Sequence, residues 1–192
     1  FKLIVWENKN KLLEDGEVDC IWGCFSMNGR EDKYLWAGPY LYSRQMVAVR
    51  MDSEIQKLKD LTGKMIAVQE TSKAEEYFLR SDFEGIPDVS LVYCFSNMDE
   101  VFAALRKNYV EAICGHESAL ISFINTAPDE YRLLDESFLY SALGVAFDIQ
   151  YDEEFVEELF KTLGDMMNDG TIAAIVGKYG LDAEKSLGRG ND

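Results

Sequence analysis

The residues best suited to hold an anion sit at the ends of short apolar runs. In VDCIWGCFSMNGRE (18–31), the run Val18 to Trp22 breaks into Gly23, Cys24, Phe25 and Ser26, and Arg30 follows. A guanidinium matches a carboxylate with two parallel N–H donors, a geometry that lysine cannot copy. A second cluster, QETSKAEE (69–76), sets Thr71, Ser72 and Lys73 where a helix should begin. Backbone N–H groups and the positive end of the helix dipole favour an anion there. The same residues also make an ordinary N-cap, with Thr71 or Ser72 bonding the first turn and Glu75 completing a capping box. The two roles are compatible. A third cluster, GHES (115–118), holds the one histidine, His116, beside Glu117.

Composition narrows the partners. The chain has 192 residues, 47% of them hydrophobic and 12% aromatic, which is a globular composition. Its net charge of −16 argues against nucleic acid or an anionic membrane surface as the main partner. Any bound anion must therefore be held by local positive groups. Cys20, Cys24, Cys94 and Cys114 form no CxxC pair; buried thiols are the expectation, with one disulfide as the alternative. A single histidine without a surrounding ligand cluster makes zinc a poor fit, and no cofactor-binding loop is present. No run of about 18 apolar residues occurs to span a membrane. There is no signal peptide and no initiator methionine, and the chain opens directly on FKLIVW.

The elements that must position these clusters alternate. Periodicity predicts strands over 2–6, 18–22, 45–50, 65–69, 90–95, 110–114, 131–135 and 143–148. It predicts helices over 9–14, 54–60, 73–82, 97–107, 117–126, 152–168 and 171–179. Such alternation implies α/β units around a largely parallel sheet. An internal echo adds to this: LEDGEVDCIWG (13–23) aligns without a gap to LRKNYVEAICG (105–115), each read as helix end, turn and strand. Two similar α/β lobes follow, each offering the loop after its strand, and ligands of open α/β sheets bind outside such strand ends.

Six segments in order carry a family resemblance: LLEDGEVDCIWG; FSMNGRE with LWAGPYLYSRQMVAVR; LKDLTGKMIAVQ; VFAALRKNYVEAICG; LGVAF; and MMNDGTIAAIVGKYG. Over nearly its whole length the chain resembles the family 3 extracellular solute-binding proteins, the polar-amino-acid receptors of ABC importers. The resemblance implies an α/β, two-lobe periplasmic-binding-protein-like fold of type II, two parallel-rich sheets joined by a two-stranded hinge. Lobe 1 would comprise 1–42 and 142–192, and lobe 2 would comprise 43–141. Ligand would sit between the lobes and be buried by closure. Arg30 matches the arginine that clamps a ligand's carboxylate, and Gly23, Cys24 and Ser26 match loop positions that face its polar groups. Trp22 and Phe25 either wall the pocket or pack the core.

Departures from the family pattern bear on the ligand. Where members read Gly-Thr/Ser-Thr/Ser, this chain has Thr71, Ser72 and Lys73; Lys73 either adds a cation for an acidic ligand or points to solvent. The aspartate that binds an α-amino group in the family's receptors is His116 here, leaving Glu117 as the only substitute. A ligand with two acidic groups, or one lacking an ammonium, fits this pattern better than an ordinary α-amino acid. Members also carry a strand, a contact loop and a helix before the segment matching FKLIVW. The expectation is a lobe 1 incomplete at the front, with an exposed edge that a homodimer, a partner segment or a rearrangement would cover.

The function expected is non-enzymatic binding of a small polar ligand, an amino acid or related carboxylate, for an ABC importer. The partner would be an ABC permease, and the location extracytoplasmic, either periplasmic or lipid-anchored at the cell surface. Alternatives are a sensor domain coupled to a receptor signalling module and a module that no longer binds. An enzyme resembling the cyclohexadienyl dehydratases would need a general acid, with His116, Glu117 and Lys73 as its candidates. Against it stand the lack of a nucleophile–base pair, a metal motif or a cofactor loop.

Overall fold

The computed structural model describes residues 1–80 and 83–188. The expected helix positions 81 and 82, and the last four positions assigned to lobe 1, lie outside the described residues. The helices are α1 (Lys9–Glu14), α2 (Lys73–Leu79), α3 (Met98–Arg106), α4 (Glu117–Ile124), α5 (Glu153–Asn168), α6 (Thr171–Lys178) and α7 (Ala183–Leu187). The strands are β1 (Leu35–Arg50), β2 (Met65–Gln69), β3 (Leu91–Phe95), β4 (Ala112–His116), β5 (Tyr131–Leu133) and β6 (Leu139–Phe147). They form a mixed sheet in the order β3-β2-β4-β1-β5, with β6 also paired to β1. β2 runs parallel to β3 and β4, whereas β1 is antiparallel to β4 and β5.

The chain divides into two compact units. Unit 1 comprises Phe1–Ile4, Asn8–Ser43 and the chain from Tyr140 onward; unit 2 comprises Val5–Glu7 and Arg44–Leu139. β1 belongs to both, leaving unit 1 after Ser43.

In unit 2 the strand period of two sorts side chains onto two faces. Val47, Val49, Ile66, Val68, Ala112 and Cys114 pack on one face with Ala74, Tyr77 and Phe78 of α2. Met46, Ala48, Ala67 and Ile113 pack on the other with Val101, Ala104 and Leu105 of α3 and with Leu120 and Phe123 of α4. Both faces are covered, so the strands are continuously apolar. Asn97 and Ser72 cap α3 and α2, each accepting the N–H of the residue three positions on.

Unit 1 gathers Ala37 of β1 and Val145 and Phe147 of β6 against Val156 and Leu163 of α5 and Ile172 and Val176 of α6. The echoed segments share a real motif. After α1, Gly16 (φ +68°) donates to Leu13 O and Glu17 to Leu12 O. After α3, Asn108 (φ +58°) donates to Leu105 O and Tyr109 to Ala104 O. Both are left-handed helix terminations that satisfy the last carbonyls.

The likeness ends there, and five sequence expectations are corrected. Residues 18–22 form no strand: Ile21 bridges Ala146 and Ser26 bridges Leu143, so five residue steps face three on β6. The excess must leave the ladder, and Cys24 turns it out at φ +54°. Residues 2–6 form no strand either: among the described residues they belong to no ladder, Lys2 reaches the Glu17 carboxylate, and Phe1 and Leu3 are exposed. The helix expected over 54–60 shrinks to a 3-10 turn, Leu58–Leu61, because the Asp60 carboxylate accepts the N–H groups of Gln56 and Lys57. The expectation of two parallel-rich sheets becomes a single mixed sheet in which the parallel pairs all lie in unit 2. β1 starts ten residues before the expected 45, through Gly38-Pro39, which reads as a strand breaker.

The bulged segment leans on β6 at Gly144. A Cβ there would stand 2.7 Å from Trp36 Cε3, 2.9 Å from Met27 Sδ and 3.0 Å from Met27 Cγ. Gly144→Ala is expected to destabilise the protein by about 1–3 kcal/mol through overpacking, read from thermal or urea unfolding. An unchanged midpoint would show that Met27 and Trp36 yield freely.

Candidate functional site

The loop of unit 1 carries six of the candidate residues and sets two of them, Phe25 and Ser26, against Arg30. Met27 N–H donates to Ala142 O and Gly144 N–H to Phe25 O, so β6 fixes the loop's path. Phe25 is buried at 1% exposure and meets the rings of Tyr34 and Trp36 at centroid separations of 5.3 and 5.4 Å. Phe25 is thus a core residue whose ring also seats the cation: the Arg30 guanidinium carbon lies 5.0 Å from its centroid. Arg30 Nη1 donates to Ser26 O at 3.1 Å, and Trp36 Nε1 donates to Arg30 O at 3.2 Å. Ring face and carbonyl together fix the plane of the guanidinium.

Ser26 is buried, and its hydroxyl donates to Asn28 Oδ1 at 3.0 Å, the same oxygen that accepts Ala142 N–H at 2.9 Å. Asn28 went unnoticed in sequence, where it reads as a turn residue; it ties the loop to β6. Trp22 is 49% exposed and touches Tyr40 edge-on, so it is not core. Nothing lies within 4 Å of where a Gly23 side chain would begin. Burial pushes the phenols of Tyr34 and Tyr40 upward, and at Tyr34 the Arg30 charge pulls in the opposite direction.

In unit 2 the other candidates gather where β2 and β4, parallel neighbours, end on the same sheet edge. Ser72 Oγ accepts Glu75 N–H, and Glu75 returns a carboxylate oxygen to Thr71 N–H at 2.8 Å, so both sides of the cap are built. Thr71 has φ +54°, an uncommon conformation for a β-branched residue. Lys73 does not point to solvent: it is 7% exposed and pairs at 2.7 Å with Glu76, which also holds Arg80. The alkyl stem is buried and the ammonium has an intramolecular counter-ion.

His116 ends β4 opposite Gln45, whose amide nitrogen lies 3.0 and 3.1 Å from the two ring nitrogens. Glu117, the first residue of α4, receives Arg44 Nε at 3.0 Å and Arg44 Nη2 on its other oxygen. Sequence reasoning missed Arg44 and Gln45. The signal was the antiparallel register, Gln45 with His116, which sets Arg44 beside Glu117 but requires knowing that β1 and β4 are neighbours.

Thiol chemistry has little support. Burial raises Cys114 and Cys20, and burial together with Glu75 pushes Cys94 up to about 12, so these groups stay protonated and poorly nucleophilic near neutrality. All four cysteines are thiols, without a disulfide. Among the described residues no cluster of metal-binding side chains occurs, and no helix is long and apolar enough to cross a membrane.

Residues 1–182 match the bacterial extracellular solute-binding proteins, family 3. The chain belongs to this family. It is 27% identical over 172 residues to the glutamate-binding protein GluB of Corynebacterium efficiens, covering 85% of this chain and 56% of GluB. It is 28% identical over 178 residues to PatH of Vibrio harveyi, a putative amino-acid ABC transporter-binding protein, covering 91% of this chain and 70% of PatH. Among solved structures, Tv2483 bound to L-arginine is similar with a TM-score of 0.79 and 26% identity, covering 92% of this chain and 71% of that one. The chain thus spans little more than half of GluB. Its fold is the two-lobe, type II fold of periplasmic amino-acid-binding proteins.

Asn28→Ala removes the acceptor shared by Ser26 and Ala142. It is expected to lower stability by about 1–2 kcal/mol, the range for losing a hydrogen bond and stranding a buried hydroxyl. Hydrogen exchange should show faster exchange at Ala142 N–H; unchanged protection would mean that the loop is held without Asn28.

Proposed function

We propose that this chain binds a small polar ligand carrying a carboxylate, an amino acid or a related acid, as the substrate-binding component of an ABC importer. Its place would be extracytoplasmic and its partner the importer's permease. The observation that carries this reading is the seat of Arg30. Its guanidinium is oriented by the Phe25 ring and the Ser26 carbonyl, on a loop held by β6. Orientation matters because bidentate recognition requires a fixed plane. The ordering is supplied by folding, so the ligand does not bear it.

Family membership and the binding activities named for GluB and Tv2483 support the same reading. In this reading Gly23, Cys24 and Ser26 line the approach to Arg30, and the exposed Trp22 gives an apolar wall. The relatives are named as binding proteins, which favours binding over chemistry.

The test is calorimetric titration of the protein with a panel of amino acids and small carboxylates. Arg30→Ala is expected to weaken carboxylate binding by about 2–5 kcal/mol, the range for truncating one partner of a buried charge pair. Arg30→Lys should recover part of the loss, because charge remains while the planar fork is gone. Undiminished binding by Arg30→Ala would remove Arg30 from the site.

A further inference from the structure

We infer a second binding site, contained in unit 2, for a small zwitterion that carries an acidic group and an ammonium in one molecule. The site is a surface cavity of about 580 Å³ between the end of β1, the turn after α3 and the start of β5. Arg50, Arg106, Asp52, Asp129 and Glu130 supply its charges, and Tyr131 lines it beside them. β1 passes from Gln45, opposite His116, to Arg50, opposite Tyr131. Those five steps span about 17 Å at the rise of a strand, so the cavity lies at the far end of the sheet from His116 and Glu117.

Elsewhere in unit 2 opposite charges pair: Arg44 holds Glu117, and Glu76 holds Lys73 and Arg80. In this cavity they stay apart. Among the described residues no ion pair joins either arginine to any of the three carboxylates. What seats the two guanidinium groups is uncharged. Arg50 gives one nitrogen, Nη1, to the carbonyls of Leu105 and Val110 at 3.2 and 3.4 Å, which leaves Nε and Nη2 unspent. The Arg106 guanidinium carbon lies 5.3 Å from the centroid of the Phe123 ring, a contact that orients the plane and uses none of its N–H groups. Tyr131 is 5% exposed, and its phenol senses both kinds of charge. Burial and the Glu130 carboxylate, which accepts its hydrogen bond, push the phenol up, while the Arg106 and Arg50 charges pull it down.

A single ion suits such a lining poorly. A plain anion that reaches the two guanidinium groups also faces three carboxylates, and a plain cation meets the converse. A zwitterion satisfies both sets: its acidic group takes the open N–H edges of Arg50 and Arg106, and its ammonium takes the aspartates. Once one end is held, the other binds as an intramolecular step, so the two weak contacts reinforce each other. Because the protein's own charges are not paired across the cavity, the ligand has no internal ion pair to break on entry.

The probes are β-alanine, 4-aminobutyrate and 6-aminohexanoate, which vary the separation of the two charges, with propionate and ethylamine as the separate halves. Amide NMR spectra of the labelled protein, read at residues 105–110 and 129–132, report this cavity and distinguish it from binding at Arg30. At least one zwitterion is expected to shift these amides and to bind about tenfold or more tighter than either half. Arg106→Gln and Asp129→Asn, both at exposed positions, should each weaken that binding about three- to fivefold, with melting curves to establish folding. Unmoved amides with all three zwitterions, a half that binds as tightly as the whole, or folded variants that bind unchanged would each overturn the inference. None of those outcomes bears on the carboxylate binding proposed for Arg30, which its own titration decides.

Discussion

The sixteen residues of β1 carry the constraint on which the remaining structure depends. A single extended segment supplies Ala37 to the core of unit 1 and four consecutive buried residues, Met46 to Val49, to unit 2. In unit 2 the strand's alternation decides which helix goes to which face. Val47 and Val49 look toward α2, while Met46 and Ala48 look toward α3 and α4. A slip of one residue would exchange the faces and destroy both cores. The register with β4 is therefore fixed by burial, and that same register brings Gln45 to His116 and Arg44 to Glu117. Polar geometry at the strand end is thus a by-product of apolar packing further along.

A comparable dependence links β6 to Arg30. The segment leading to this residue is not a strand, because two surplus residues cannot enter the ladder between Ile21 and Ser26. Expelling them requires a positive φ at Cys24, which costs about 1–3 kcal/mol for a residue with a Cβ. What the bulge achieves is re-aiming. Phe25 turns inward to the aromatic cluster with Tyr34 and Trp36, and its ring becomes the platform for the guanidinium. A regular strand would have alternated Phe25 and Ser26 across two faces, whereas here the Phe25 ring and the Ser26 carbonyl both meet the Arg30 guanidinium.

These two cases mark what was legible in the sequence. Helices α3 and α5 were readable because each joins an apolar stripe to a local cap, Asn97 and Asp152, whose partners lie two or three residues away. Strands β2 and β4 were readable because both of their faces are buried. The segment 18–22 looked equally strand-like, and its echo in 110–114 strengthened the impression. Yet a strand is a relation between two segments, and nothing in VDCIW records the mismatch with β6. The start of β1 was missed in the opposite direction, since the strand continues through Gly38-Pro39, a dipeptide of a kind that usually ends strands. At the site, the types of Arg30, Ser72 and Glu117 were visible, but not their commitments. Arg44 and Glu117 are 73 positions apart, and only the fold makes them one unit.

Those commitments also bear on how a body of net charge −16 could accommodate the proposed anion. Surface charges more than about 8–10 Å away are screened at physiological ionic strength. Most of the excess acid therefore has little say at a partly buried guanidinium. Local pairing matters more, and within unit 2 the carboxylates at the ends of β2 and β4 are engaged. Glu76 is shared by Lys73 and Arg80, Glu75 is turned back onto its own helix cap, and Glu117 is held by Arg44. Each such pairing removes an anion from competition without adding a cation to the surface. The acidic composition therefore does not by itself oppose the proposed carboxylate, because distant charges are screened.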